Sequence, residues 1–110
     1  MPEQRELDPV AIERADLIVA DMVDEVAHDT GDMIEAARAG VAFADKLVSL
    51  EAVVSGAHPG RTAPDQIVLY KSVGAAIQDL AVAIMCMERA RAAGIGTVIP
   101  APISPVDKSK

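Results

Sequence analysis

Residues 60–83 read GRTAPDQIVLYKSVGAAIQDLAVA, and the way this stretch folds decides how the chain around it folds. A Gly60-Arg61-Thr62 turn leads into a short strand-like run, Gln66 to Tyr70. Lys71-Ser72-Val73-Gly74 follows, and then a long alanine-rich helical pattern begins. A strand that stops at small residues and resumes as a helix is the local geometry that α/β folds use at ligand sites. The first N–H groups of such a helix lack partners of their own, and a glycine lets a ligand come close to the backbone. Ser72 has a second reading, as an ordinary capping serine. Lys71 likewise has two: a partner for a phosphate or carboxylate, or a solvated loop lysine.

Upstream, Asp8-Pro9 is a helix start, because Asp caps free N–H groups and Pro suits the first helical position. Leu17-Ile18-Val19-Ala20 is a continuous apolar run of strand length, as in parallel strands buried on both faces. Asp21 ends it and reads as the N-cap of a helix spanning about Val23 to Ala39, with a break at Gly31 allowed and Gly40 as C-cap. In that helix Val26, Ile34 and Ala37 are expected inside, with Asp24, Glu25, Asp29, Asp32, Glu35 and Arg38 in water. Leu47 to Val54 reads as another short helix, stopped by Gly56. Two strands are therefore expected, 17–20 and 66–70.

Downstream, the helical pattern runs from Ser72 to about Ala93 and closes at Gly94. Its apolar residues nearly encircle the axis, and a helix apolar on most sides needs cover on most sides. A chain of 110 residues has too little protein for that, so a second subunit or a further domain is expected to supply it. Thr97 to Ile99 reads as a brief extended run, and Pro100, Pro102 and Pro105 predict an extended tail.

Composition narrows the function classes. With one Phe, one Tyr and no Trp, the core must be aliphatic, which suits helices packed on a sheet. A net charge of −7 argues against nucleic acid, whose phosphates repel such a surface. No stretch approaches the ~18 uninterrupted apolar residues of a membrane span, and MPEQRELDP lacks the pattern of a secretory signal. The single cysteine, Cys86, lies in the long helical pattern and reads as a packed thiol in a reducing, cytoplasmic setting. His28 and His58 stand far apart with no second ligand at helical or hairpin spacing, so no metal site is expected. The chain has no Gly-x-Gly-x-x-Gly loop, and no catalytic residue is assigned.

Taken in order, these residues resemble the C-terminal part of the ornithine cyclodeaminase/mu-crystallin family. The likeness starts at Pro2-Glu3-Gln4-Arg5-Glu6-Leu7-Asp8 and continues through Ala15-Asp16-Leu17-Ile18-Val19-Ala20-Asp21 and Gly31-Asp32. It then takes in Gly60-Arg61-Thr62, Lys71-Ser72-Val73-Gly74 and the Ala-x-x-Asp of Ala76 to Asp79, so that it covers about Pro2 to Gly96. The resemblance implies an α/β fold: a partial Rossmann-like unit, the second half of a doubly wound parallel sheet, in residues 1–72. Residues 73–99 would hold a long apolar helix and a short strand returning to a substrate/dimerisation domain, with 100–110 as the tail.

It also implies NAD or NADP as cofactor, an amino acid or imine as substrate, and hydride transfer or deaminating cyclisation as chemistry. Ser72 and Val73 would lie beside the nicotinamide, with Lys71 and Gly74 completing the cofactor-binding corner. A homo-oligomer, or a missing N-terminal half, would complete the protein. The family's phosphate loop has no counterpart in this sequence, and its catalytic acid would stand just before Met1. The expectation is thus a C-terminal segment incomplete as a catalyst, holding dinucleotide weakly if at all. The alternatives are a non-catalytic helical dimerisation module derived from the family, or a truncated reading frame without a role of its own.

Overall fold

Leu17–Ala20 forms strand β1, as its apolar run predicts, with all four residues buried. The computed structural model describes residues 3–100. Around β1 the chain places α1 (Pro9–Arg14), α2 (Val23–Asp29), α3 (Gly31–Arg38), a 3-10 turn (Ala44–Lys46) and β2 (Leu47–Ser49). α4 (Leu50–Val54), β3 (Val68–Lys71) and α5 (Ala76–Ala93) follow. The sheet is parallel, in the order β2-β1-β3, with Ile18 opposite Leu47 and Leu69, and Ala20 opposite Ser49 and Lys71. This is the α/β, Rossmann-like architecture expected, with one strand more.

The additional strand lies where a helix was predicted. Leu47-Val48-Ser49 pairs with β1, and α4 starts only at Leu50. Ser49 makes the switch: its backbone is extended, and its hydroxyl accepts the Ala52 N–H at 3.1 Å, which caps α4. A serine inside an apolar run thus ends one element and begins the next. At β3 the shift is smaller, to Val68–Lys71 from the expected 66–70.

The helix expected over 23–39 is two helices. Thr30 is extended (φ −91°, ψ 138°), ends α2 and begins α3, while its hydroxyl donates to the Val26 carbonyl at 2.6 Å. The break rotates the phase of α3 relative to a continuous helix. Val26 is buried as expected, but Met33 and Ala36 are buried in place of Ile34, which is half-buried, and Ala37, which is exposed. Asp32, expected in water, is 1% exposed. Gly40 does terminate α3: at φ 80° it donates to the Ala37 carbonyl while Val41 donates to that of Ala36, the paired bonds of a left-handed helix end.

One face of the sheet, carrying Ile18, Ala20, Leu47 and Leu69, packs with Ile12, Val26, Met33 and Ala36 from α1, α2 and α3. Asp8 caps α1 as predicted, its carboxylate accepting the Ala11 N–H at 2.7 Å. At the other end of α1 the Lys46 ammonium donates to the carbonyls of Ile12, Glu13 and Ala15 at 2.7–2.8 Å. Those carbonyls are the unpaired, partly negative end of the helix, so one cation satisfies several of them at once.

The chain divides into two compact units, 1–76 and 77–110, and α5 lies in the second but for its first residue. α5 starts four residues later than the pattern suggested and has no buried residue, with Leu80 59%, Val82 55% and Met87 55% exposed. Cys86 is exposed rather than packed, because α5 has no buried residue and nothing in its own unit covers it. Thr97 to Ile99 forms no strand, for no partner strand stands in that unit among the described residues. The predicted tail beyond Pro100, and Pro2 of the resemblance, lie outside the described residues. Among the described residues no helix is long and apolar enough to cross a membrane.

Replacing Lys46 by Met keeps the aliphatic stem and removes the donors, leaving the end of α1 without its cation. The Lys46→Met variant is expected to lose about 1–3 kcal/mol of stability, read from urea unfolding. An unchanged midpoint would show that water serves those carbonyls equally well.

Candidate functional site at the carboxyl ends of the strands

β1 and β3 end side by side, and the residues that come directly after them meet. Asp21, next after β1, reaches across to the turn next after β3. Its Oδ2 accepts the Ser72 hydroxyl at 2.6 Å and the Gly74 N–H at 3.0 Å, and its Oδ1 accepts the Val73 N–H at 3.0 Å. Oδ1 also takes the Met22 N–H at 2.9 Å. Gly74 stands at φ 80°, a left-handed conformation that L side chains seldom adopt, and a Cβ there would meet nothing within 4 Å. The turn needs glycine for its backbone, and the space beside it is open.

Two expectations change here. Asp21 is not the N-cap of α2, which is Met22, without a side-chain cap bond. Ser72 does not cap α5, which starts at Ala76; its hydroxyl bonds Asp21 and accepts the Gly74 N–H at 3.1 Å. The N–H groups of Val73 and Gly74 are consequently engaged by Asp21 instead of open to a ligand. Burial works against the charge of Asp21, but bonds from the Ser72 hydroxyl and the Val73, Gly74 and Met22 N–H groups outweigh it. Its carboxyl is lowered to about 2.

On the core face of β3, two residues beyond Leu69, stands Lys71, 9% exposed. Its ammonium lies 2.6 Å from Asp32 Oδ2, at the start of α3, and 2.8 Å from Glu6 Oε2. Oδ1 of Asp32 faces the other way and accepts the N–H groups of Glu6 at 2.6 Å and Leu7 at 3.0 Å. Lys71 is not the solvated lysine of one reading; it pairs with carboxylates, as the other allowed, and both of them belong to this chain. Burial opposes ionisation of both Lys71 and Asp32. The Leu7 N–H, the Lys71 ammonium and the Glu6 N–H nonetheless hold Asp32 below the usual carboxylate range, and Asp32 and Glu6 hold Lys71 above its ordinary value.

Between these two clusters opens a cavity of about 200 Å³, lined by Gln4, Glu6, Thr30, Lys71, Ser72 and Val73. The four sequence-predicted residues 71–74 are thus brought to one corner, three of them lining or edging the cavity. What the sequence pattern missed are the residues that hold them: Asp21, Asp32 and Glu6. The signal available was the position of Asp21 at a strand end, explained locally by capping, and of Asp32 beside Gly31, read as a solvated helix position. Three or more His, Cys, Asp or Glu side chains arranged to hold a metal do not occur among the described residues.

The sequence profile of the ornithine cyclodeaminase/mu-crystallin family matches residues 1–94. Among individual proteins, the Delta(1)-pyrroline-2-carboxylate reductase of Bacillus cereus is 32% identical over 99 residues, 89% of this chain and 30% of its own length. The iminosuccinate reductase of Paracoccus denitrificans is 35% identical over 94 residues, 84% of this chain and 28% of its own. A solved structure, Delta(1)-pyrroline-2-carboxylate reductase of Thermococcus litoralis in complex with NADH and L-proline, superimposes with a TM-score of 0.74 at 32% identity. It covers 89% of this chain and 30% of that one. The chain therefore spans about 30% of the length of the relatives it matches.

Asp21 and Asp32 both keep their charge in the fold where an unfolded aspartate would take a proton. Groups depressed in this way stabilise the fold above the ordinary value of 3.8, and that contribution is lost as pH falls below it, for Asp21 toward about 2. Urea midpoints are expected to drop over this interval, with Asp21 supplying at most ~2 kcal/mol of the change. In Asp21→Asn the drop should be shallower; equal slopes in the two proteins would show that Asp21 carries none of it.

Proposed function

The chain belongs to the ornithine cyclodeaminase/mu-crystallin family, and from that membership we propose that it forms the C-terminal part of an NAD(P)-dependent enzyme acting on a small amino acid or imine. The observation that carries this reading is the corner at the ends of β1 and β3, where Ser72 and Val73 edge a small cavity at the carboxyl ends of parallel strands. Ligands of open parallel sheets bind outside the carboxyl ends of the strands. Relatives of the chain reduce imines by name, and the Thermococcus litoralis neighbour holds NADH and L-proline.

The corner's chemistry fits only part of a dinucleotide. Its backbone donors are taken by Asp21 and its ammonium by Asp32 and Glu6, so it lacks what a pyrophosphate needs. It does suit a neutral, flat group laid against Val73, whose side chain is partly exposed. A nicotinamide, when bound, supplies or removes the hydride. The part of this chain is to shape that group's surroundings: Ser72 and Val73 as the wall, Lys71 and Gly74 as the frame that sets the wall's position. Residues 1–72 would act as the Rossmann-like half and 73–99 as the bridge to a dimerisation domain, in a cytoplasmic homo-oligomer.

The second reading, a non-catalytic helical dimerisation module, is favoured by α5, whose apolar residues are exposed on every side. The two readings share this helix and differ at the corner.

Titrated into the isolated chain, NADH and NADPH are expected to bind more weakly than about 1 mM, equivalent to ~4 kcal/mol. At millimolar NADH the amide resonances that move should be those of residues 71–74. Micromolar affinity by calorimetry, or shifts confined to other residues, would contradict this reading. Light scattering at tens of micromolar is expected to find the chain associated through α5; a monodisperse monomer would remove the case for a buried α5.

A further inference from the structure

Asp21 does more at this corner than end a strand. Three donors of one turn, the Ser72 hydroxyl and the N–H groups of Val73 and Gly74, converge on its carboxylate at 2.6–3.0 Å, from residues more than fifty positions away. A turn of this kind with its donors open, set before a helix, is an anion receptor. Here the receptor already holds an anion, and that anion is a side chain of the same chain.

The charges alongside point the same way. Glu6 and Asp32 flank the ammonium of Lys71 on the other side of Ser72, so among the described residues that bond at this turn three carboxylates stand against one ammonium. A phosphate or carboxylate arriving here would meet a negative field and no free backbone donor at Val73 or Gly74.

We propose that Asp21 is the positioning residue of the Ser72-Val73-Gly74 turn: it occupies the turn's donors, fixes Val73 at the edge of the cavity, and restricts the corner to uncharged, donor-bearing or flat groups. The chemical class admitted is that of a carboxamide or an uncharged aromatic ring, and the class rejected is the anion. This deepens the proposed function and rests on it for the identity of the ligand, but the role of Asp21 in the turn is measurable without any ligand.

The test uses the full chain, nitrogen-15 labelled, with Asp21→Asn and Asp21→Ala variants. In the wild type the Val73 and Gly74 amides should be protected from hydrogen exchange. In Asp21→Asn, which keeps one acceptor oxygen, Gly74 should exchange about tenfold faster, and in Asp21→Ala both amides should. Protection at Ile18 and Leu69, inside the sheet, should stay as it was. Inorganic phosphate at millimolar concentration should leave residues 72–74 of the wild type unmoved and shift them in the variants, a gain that a merely structural residue would not produce.

If a variant fails to fold, an acid titration of the wild type decides. The Val73 and Gly74 resonances should follow the Asp21 carboxyl, and flat resonances would overturn the proposal. So would wild-type amides at 73 and 74 that exchange freely, or a wild-type turn that responds to phosphate. NADH is a separate arm: its failure to move residues 71–74 counts against the proposed function, while exchange and phosphate decide the role of Asp21.

Discussion

The unit 3–76 is organised by one contact, the buried pair of Lys71 and Asp32. Both side chains leave water almost completely, at 9% and 1% exposure, and removing two charges from water costs several kcal/mol before their attraction repays it. Such a pair is poor evidence for net stability. What it secures is placement. Lys71 shares the core face with Leu69, and slipping β3 by one residue would turn the ammonium to the opposite face, leaving Asp32 charged, buried and without its cation. Asp32 meanwhile spends its other oxygen on the N–H groups of Glu6 and Leu7. Three segments far apart in sequence, 6–7, the start of α3 and the end of β3, are thereby held to one geometry, and the cavity lies between them.

How far this was legible in the sequence depends on the range of each interaction. Asp8-Pro9, the run 17–20 and Gly40 act on their immediate neighbours, and all three behave as their local chemistry dictates. Leu47 to Val54 misled because strand and short helix share an apolar signature, and the serine that divides them is one letter within it. In α3 the residue types were informative but the phase was not. An extended Thr30 resets the helix by a fraction of a turn, enough to put Asp32 inside and Ala37 outside.

The site was legible in part for the same reason. Residues 71–74 form a contiguous motif, and the family likeness picked them out. Their partners do not adjoin them: Asp21 lies 51 residues before Ser72, and Glu6 lies 65 before Lys71. For Asp21 a capping role, and for Asp32 a place on a solvated helix face, offered a sufficient local explanation, so nothing in the letters asked for a distant one. An acidic residue at a strand end or helix start is over-determined in this way, and only the sheet order brings the competing partner into reach.

That sheet order gives the corner its character. Because β1 is central and β3 is its neighbour, the acid at the end of β1 falls within reach of the turn that ends β3. The same strand-turn-helix geometry that cradles a phosphate elsewhere is satisfied here from within, by a carboxylate held at a pKa of about 2 that does not release the turn at neutral pH. On the proposed reading, phosphate recognition must then fall to elements outside this corner, which keeps the uncharged end of the cofactor. A turn that keeps its own anion gives up affinity for a charged ligand, and gains a wall whose shape is fixed before any ligand arrives.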